Sequence, residues 1–260
     1  MYPFIYARKK YVIIILGDIF MDDIKKLKSI IEKSKRIVIF SGAGLSTNSG
    51  IPDFRSSDGL YNQKTNYRVT PEEIISHSFF MSNTKEFYEF YFSKMIYPNA
   101  LPNSAHLYFA KLEAMGKVSA VVTQNIDDLH QMAGSKNVIE LHGSVKRNYC
   151  MKCNKFYDLN SIMGTSIPKC DCNGIIKPDV VLYEESLNEK DIMKALDCIS
   201  KADTLIIVGT SLTVYPAAGF VRYFNGDNLI LLNKSHTSYD DMATIAIHDD
   251  IKKVIEELEK

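Results

Sequence analysis

No charge of either sign predominates in this chain of 260 residues: lysine plus arginine and aspartate plus glutamate both number 31. Nonspecific phosphate binding needs a basic surplus, at least locally, so the balance argues against nucleic acid as the main partner. Cysteine is scarce as well. Five are too few for a disulfide scaffold in a chain this long, and four of them cluster, which is the pattern of a metal site. Long apolar runs are missing too. The run at residues 11–16 ("YVIIIL") follows a basic start but is far shorter than a membrane span. No small-residue cleavage site follows it, and Asp18, Asp22 and Asp23 come directly after. A membrane partner is therefore not expected, and cytoplasmic residence is. Residues 1–20 read as an N-terminal extension, either an added strand or a poorly ordered segment, with Met21 as an alternative start. There is no repeat or low-complexity tract, and a monomer would suffice. Composition, at 46% hydrophobic and 24% charged, is that of an ordinary soluble globular protein.

What the sequence does contain is alternation. Short β-branched runs read as buried strands: "RIVIF", "VSAVVT" at 118–123, "NVIEL" at 137–141, "TLIIVG" at 204–209, "NLILLN" at 228–233 and "TIAI" at 244–247. Helical patterns lie between several of them, beginning at Asp22, Ser104, Glu189 and Pro216, with another at the end of the chain. Strands alternating with helices predict a Rossmann-like, mostly parallel α/β sheet with helices on both faces. Ligands of such sheets bind at the carboxyl ends of the strands, so the residues just after each strand carry the function. Two stretches break the alternation. Residues 53–103 are aromatic and helical, and residues 146–177 hold the cysteines. The expected organisation is a sheet domain from 21–52, 104–145 and 178–260, a helical insertion at 53–103 and a zinc module at 146–177.

Cys150 and Cys153, then Cys170 and Cys172, offer four thiolates at zinc-ribbon spacing, two knuckles of a tetrahedral site. A closed four-cysteine site leaves no open position, so one structural Zn2+ is expected. Unligated buried cysteines are the alternative. Cys198 reads as a core residue.

After "RIVIF", Gly42 and Gly44 begin like a dinucleotide-binding loop, whose backbone N–H groups can cradle phosphates. The third glycine of that fingerprint is missing: Thr47 stands there, with a hydroxyl available for a phosphate, and the chain runs on to Phe54 and Arg55. Taken together, "GAGLSTNSGIPDFRSSDGLY", "TQNIDDLH", "LHGS", the cysteine cluster, "KPDVVLYEE", "GTSLTVYPAA" and "LLNKS" resemble, in order, the motifs of the sirtuins, NAD-dependent protein lysine deacylases. The resemblance covers roughly residues 22–260.

It implies that ADP-ribose passes from NAD to the acyl oxygen of an acylated lysine with release of nicotinamide. The resemblance gives NAD contacts to Gly42, Ala43, Gly44, Ser46, Thr47 and Asp53. It sets Phe54 over the reacting ribose, where water must be kept out, and Arg55 near the phosphates and ribose. Gln124, Asn125, Ile126 and Asp127 follow a strand: Asp127 would accept from the nicotinamide carboxamide or cap the next helix, and Asn125 would bond ribose or water. His142 suits the general base that takes a proton from a ribose hydroxyl, which then attacks the alkylimidate. Gly209, Thr210, Ser211, Asn233 and Lys234 would hold the adenosine half, with Asp250 and Ile251 flanking adenine. His106 and His130 read as structural.

The expected partner is an acylated-lysine protein or peptide, bound as an added strand, with Val181 lining the lysine tunnel and Tyr183 facing it. Here the chain departs from the family's "RPxVVxFGE": Lys177, Tyr183 and Glu184 replace arginine, phenylalanine and glycine. Tyr91-x-x-Lys94 is a near miss for the Tyr-x-x-Arg pair of sirtuins that take acidic acyl groups, the alternative being a core tyrosine and a solvated lysine. Deacetylation is the leading expectation. The rivals are mono-ADP-ribosyl transfer, a noncatalytic NAD-sensing module and a zinc-ribbon nucleic-acid binder.

Overall fold

In the computed structural model the described residues are 3–56, 59–62 and 69–260, with side chains from residue 17 onward. Helix α1 (Pro3–Lys33) opens the chain. Its second half buries Ile24, Leu27 and Ile31, as the helical spacing predicts. The strand or poorly ordered extension expected before Asp22 is instead more helix. No proline interrupts α1 after Pro3, and Asp22 pairs with Lys25 at 3.4 Å on the exposed side of the helix.

Strands β1 (Ile37–Ser41), β2 (Val118–Thr123) and β3 (Val138–Glu140) form half of a parallel sheet. The small antiparallel sheet contains β4 (Gly143–Cys150), β5 (Phe156–Asp158) and β6 (Ile176–Val180). Strands β7 (Thr204–Val208), β8 (Asn228–Leu232) and β9 (Ile245–Ile247) complete the parallel sheet, ordered β3-β2-β1-β7-β8-β9. The remaining helices are α2 (Pro71–Ile74), α3 (His77–Ser82), α4 (Thr84–Lys94), α5 (Ser104–Ala114), α6 (Leu129–Met132), α7 (Leu159–Ile162), α8 (Glu189–Ser200) and α9 (Ile251–Leu258). The segment from Pro216, expected as an α-helix, is a 3-10 helix over Ala217–Tyr223.

Alternation along β1 shows how the layers close. Ile37 and Ile39 face a cluster with α1, α5 and α9, whereas Val38 and Phe40 face α8 and the 3-10 helix. Every residue of β1 and β7 is buried, so both strands read as continuous apolar runs. A third cluster joins α2–α4 to the small sheet: Phe87, Tyr88, Phe90 and Tyr91 pack with Cys150, Ile162, Cys170 and Ile176. Each such ring contributes about 1.5–3 kcal/mol on burial, and the Tyr88 hydroxyl donates to the Ile176 carbonyl. The helical insertion and the cysteine module therefore share one core. Among the described residues no helix is long and apolar enough to cross a membrane.

Candidate active site

The sheet order reverses between β1 and β7, and a cleft of about 980 Å³ opens at their carboxyl ends. The loop after β1 lies directly on the loop after β7. The Gly42 N–H donates to the Val208 carbonyl at 3.0 Å and the Gly44 N–H to the Gly209 carbonyl at 2.8 Å. These two N–H groups, expected to cradle phosphate, are spent inside the protein. What glycine provides is close approach: a Cβ on Gly44 would lie 2.9 Å from the Gly209 oxygen, and one on Gly42 2.7 Å from the Thr210 Cβ. Gly209, at φ 61°, needs the left-handed region as well. The Thr47 hydroxyl donates to the Gly44 carbonyl at 3.0 Å, so its proton is also used within the loop. Asn103, which caps α5, anchors the loop from the other side through the Leu45 carbonyl at 2.8 Å and Ser49 at 3.0 Å.

Three polar side chains converge under this loop. Ser46 donates to Asp127 Oδ2 at 2.6 Å, while Asn125 Nδ2 donates to Ser46 Oγ at 3.1 Å and to the Gly42 carbonyl at 3.2 Å. The other Asp127 oxygen accepts from the Leu129 N–H at the start of α6, although the cap position itself is Asp128. Burial pushes the Asp127 carboxyl up from its ordinary value, opposed by the Ser46 hydroxyl and the Leu129 N–H.

His142, just before β4, is fixed by one bond. Its Nδ1 lies 2.8 Å from the Gln124 carbonyl, which can only accept, so Nδ1 carries the proton and Nε2 keeps its lone pair. Burial lowers the histidine's affinity for a second proton, and the Gln124 carbonyl opposes this only in part. The ring is a neutral base at neutral pH. Gln124 is itself held by Thr210 Oγ1 at 3.1 Å.

Phe54 packs against Tyr61 with ring centroids 5.5 Å apart. Arg55 turns toward Tyr183 and Tyr61: its Nη2 is 3.3 Å from the Tyr183 hydroxyl and its guanidinium 5.4 Å from the Tyr61 ring. The two tyrosine hydroxyls are 2.9 Å apart. Arg55 is thus at the cleft but tied to the side where Tyr183 stands, with Asp53 Oδ1 accepting from its N–H at 3.1 Å.

The cleft lining includes Ala43, Asp53, Ile126, Val181, Tyr183, Ser211, Asn233, Lys234 and Ile251, along with Gly42, Gly44, Ser46, Thr47, Phe54, Arg55, Gln124, Asn125, Asp127, His142, Gly209 and Thr210. Two expected residues do not line it. Asp250 caps α9, accepts from Asn48 at 2.9 Å and pairs with Lys234 at 2.9 Å, so its carboxylate is already committed. Tyr91 is fully buried, stacked on Phe87 at 5.6 Å, while Lys94 does line the cleft. His106 and His130 are buried and their rings 4.9 Å apart; burial pushes His106 down to about 4.

The segment after the cysteine module is pinned at both ends. The Val181 N–H donates to the His142 carbonyl at 3.0 Å and the Tyr183 N–H to the Ile75 carbonyl at 3.0 Å. Glu184 has φ 75°, the left-handed conformation that favours glycine. Its carboxylate accepts from the Ser78 N–H at 2.9 Å and the Ser78 hydroxyl at 2.6 Å, bonds glycine cannot make. A network that sequence reasoning missed runs beside it: Glu185 bridges His77 at 2.8 Å and Lys177 at 3.0 Å. Its only sequence signal was the glutamate that ends the family pattern.

The four clustered cysteines form no disulfide, and their Sγ atoms are 3.5 Å apart for the pairs 150–172, 153–170 and 153–172. Four thiolates about 2.3 Å from a tetrahedral zinc lie about 3.8 Å apart, so the donor set fits one ion closely. The Lys152 N–H points at Cys150 Sγ at 3.4 Å, and a Cβ on Gly174 would lie 2.5 Å from that sulfur. These groups form the site of one structural zinc.

Comparison with known proteins agrees with the geometry. The model of the Sir2 family matches residues 42–216. The chain is 61% identical over 239 residues to an NAD-dependent protein deacetylase of Clostridium perfringens (strain 13 / Type A), covering 90% of this chain and 98% of that one. It is 57% identical over 239 residues to the enzyme of the same name from Clostridium acetobutylicum, covering 91% and 98%. Among solved structures, a Sir2 variant with a deacetylated p53 peptide and 3'-O-acetyl ADP ribose superposes with a TM-score of 0.82 at 38% identity, covering 90% of this chain and 96% of that one.

Proposed function

The chain belongs to the Sir2 family and is an NAD-dependent protein lysine deacylase; from that premise we propose how its own residues divide the work. His142 is the general base. With Nδ1 donating to Gln124, its Nε2 takes the proton from a ribose hydroxyl. Asp127, partly buried and held by Ser46, accepts from the carboxamide of nicotinamide, and Asn125 orients ribose or water beside it. Phe54, packed on Tyr61, keeps water from the reacting ribose. The residues after β7 and β8, with Ile251 from α9, line the end of the cleft that takes adenosine, and Val181 and Tyr183 receive the acyl-lysine. NAD supplies the ADP-ribose that carries off the acyl group. NAD, acyl-lysine and water yield nicotinamide, O-acyl-ADP-ribose and free lysine.

The observation that carries this reading is the fixed tautomer of His142 at the mouth of the β1/β7 cleft. Acetyl-lysine is the preferred substrate, because Tyr91 is sealed in the aromatic cluster and cannot join Lys94 in holding an acidic acyl group. The zinc module needs reduced thiols, which supports a cytoplasmic setting, and the zero net charge supports protein rather than nucleic acid as the partner.

The test is product analysis by mass spectrometry with NAD and acetylated, succinylated or unmodified lysine peptides. O-acetyl-ADP-ribose formed only with the acetylated peptide, and lost in His142→Ala, is the expected result. ADP-ribose attached to protein would indicate transferase chemistry instead, and a faster succinylated peptide would overturn the acyl assignment.

A further inference from the structure

Next to residues 233–235, which line the cleft, two histidines and an aspartate converge that the deacylation does not use. His236 Nδ1 is 2.6 Å from Asp240 Oδ2, and His248 Nε2 is 3.0 Å from the same oxygen. The imidazole rings lie 4.0 Å apart, and the three donor atoms are all within 4.8 Å of one another. They come from the loop after β8, a 3-10 turn (Asp240–Met242) and the residue that follows β9.

Counting protons shows that these atoms are not at rest as a neutral set. His248 Nδ1 is 3.0 Å from the Asn233 carbonyl, and its Nε2 faces a carboxylate; both neighbours only accept. Whichever nitrogen carries the proton of the neutral ring, the other turns a lone pair onto an acceptor. Asp240 cannot turn away to relieve this, because its other oxygen accepts from the Thr237 N–H and hydroxyl at 2.9 Å each. A cation among the three donors satisfies all of them.

We propose that His236 Nδ1, Asp240 Oδ2 and His248 Nε2 bind one divalent transition-metal ion, at a second site separate from the four cysteines. Two imidazoles and a carboxylate suit zinc, nickel or copper better than magnesium or calcium. Histidine ligands are commonly oriented by a carbonyl on the other ring nitrogen, which is the bond His248 makes with Asn233. Zinc ligands at about 2.0–2.1 Å stand about 3.3 Å apart in a tetrahedral site, so each histidine must draw back from Asp240 Oδ2 by under ~1 Å. His236 is free to give that room: its side chain is 84% exposed, whereas Asp240 and His248 are held at 18% and 21%. The bound ion would clamp loop 233–235, whose residues line the cleft, against the exit of β9.

The experiment is calorimetric titration of Zn2+ into full-length enzyme that already holds its cysteine-bound zinc. Zn2+ is chosen because it cannot displace a different ion there. One further Zn2+ per chain is expected, and no heat from Mg2+. His236→Ala and His248→Gln should each weaken the added ion by about tenfold or more, and melting curves check that both variants fold. Absence of a second Zn2+ would overturn the proposal, leaving a histidinium–aspartate pair. So would a second Zn2+ that binds both variants as tightly as the unaltered enzyme.

Discussion

Burial of His142 sets a pH dependence that can be worked from the structure. The Gln124 carbonyl leaves Nε2 as the basic atom, and burial lowers its pKa below the ordinary histidine value of about 6.5. The neutral, active form therefore persists to lower pH than for an exposed histidine. An unshifted group would fall from about 0.9 neutral at pH 7.5 to about 0.1 at pH 5.5, a roughly tenfold loss. His142 should lose less than that over the same interval, with the acid limb of kcat/KM lying below pH 6.5. The stability sign is the same: as pH drops through the unfolded-state value the unfolded chain takes up a proton while the native ring stays neutral, so acid weakens the fold until the native ring protonates as well. The assay is kcat/KM for an acetylated peptide at saturating NAD from pH 5 to pH 8, with near-ultraviolet dichroism to show that the protein is folded throughout. His142→Ala should lose about 10²–10⁴ in deacetylation yet keep nicotinamide exchange, which precedes the proton transfer. A loss of tenfold or more between pH 7.5 and pH 5.5 with the fold intact would refute the effect of burial, and equal loss of exchange and deacetylation in His142→Ala would refute the general-base role.

Three further outcomes are expected. Gly44→Ala sets a Cβ against the Gly209 backbone and strains the 2.8 Å bond between the loops, costing about 2–4 kcal/mol in urea unfolding. Gly50→Ala, at φ 82° with nothing within 4 Å, should cost only about 1–2 kcal/mol, so equal losses would contradict the close-approach account. Glu184→Gly exchanges the Ser78 bonds for backbone freedom and should melt near the unaltered protein, whereas Glu184→Ala keeps the φ of 75° without the bonds and should melt lowest of the three. Cys170→Ser should release the cysteine-bound zinc, measured by metal analysis. It should also loosen the aromatic cluster that Cys170 shares with Phe87 and Tyr88, seen as lost near-ultraviolet dichroism.

The sheet was legible because its signal is local. A run such as "RIVIF" is apolar at successive positions since β1 is covered on both faces, and no distant contact is needed to recognise it. The cleft residues were legible at one remove: once the strands are known, a parallel sheet directs ligands to their carboxyl ends, which is where His142 and residues 124–127 stand. The contacts that were not legible share the opposite property. The N–H groups of Gly42 and Gly44 looked free because their acceptors belong to residues 208 and 209. The carboxylate of Asp250 is shared between Asn48 and Lys234, which come from two other segments and leave no mark beside it in the sequence. Tyr91-x-x-Lys94 left a ligand pair and a core tyrosine both open, because spacing on a helix does not say which face is buried, and the aromatic rings that seal Tyr91 decide for the core. Glu184 is the sharpest instance. The family pattern has glycine there, and the structure shows the reason, a left-handed backbone, still in force. A glutamate holds the position because its carboxylate binds a serine 106 residues away at the start of α3. A departure from a pattern can thus be seen in the sequence, while the compensation that permits it is a contact between segments and has no local mark. The same holds for His236, Asp240 and His248, whose meeting depends on β8 and β9 lying side by side.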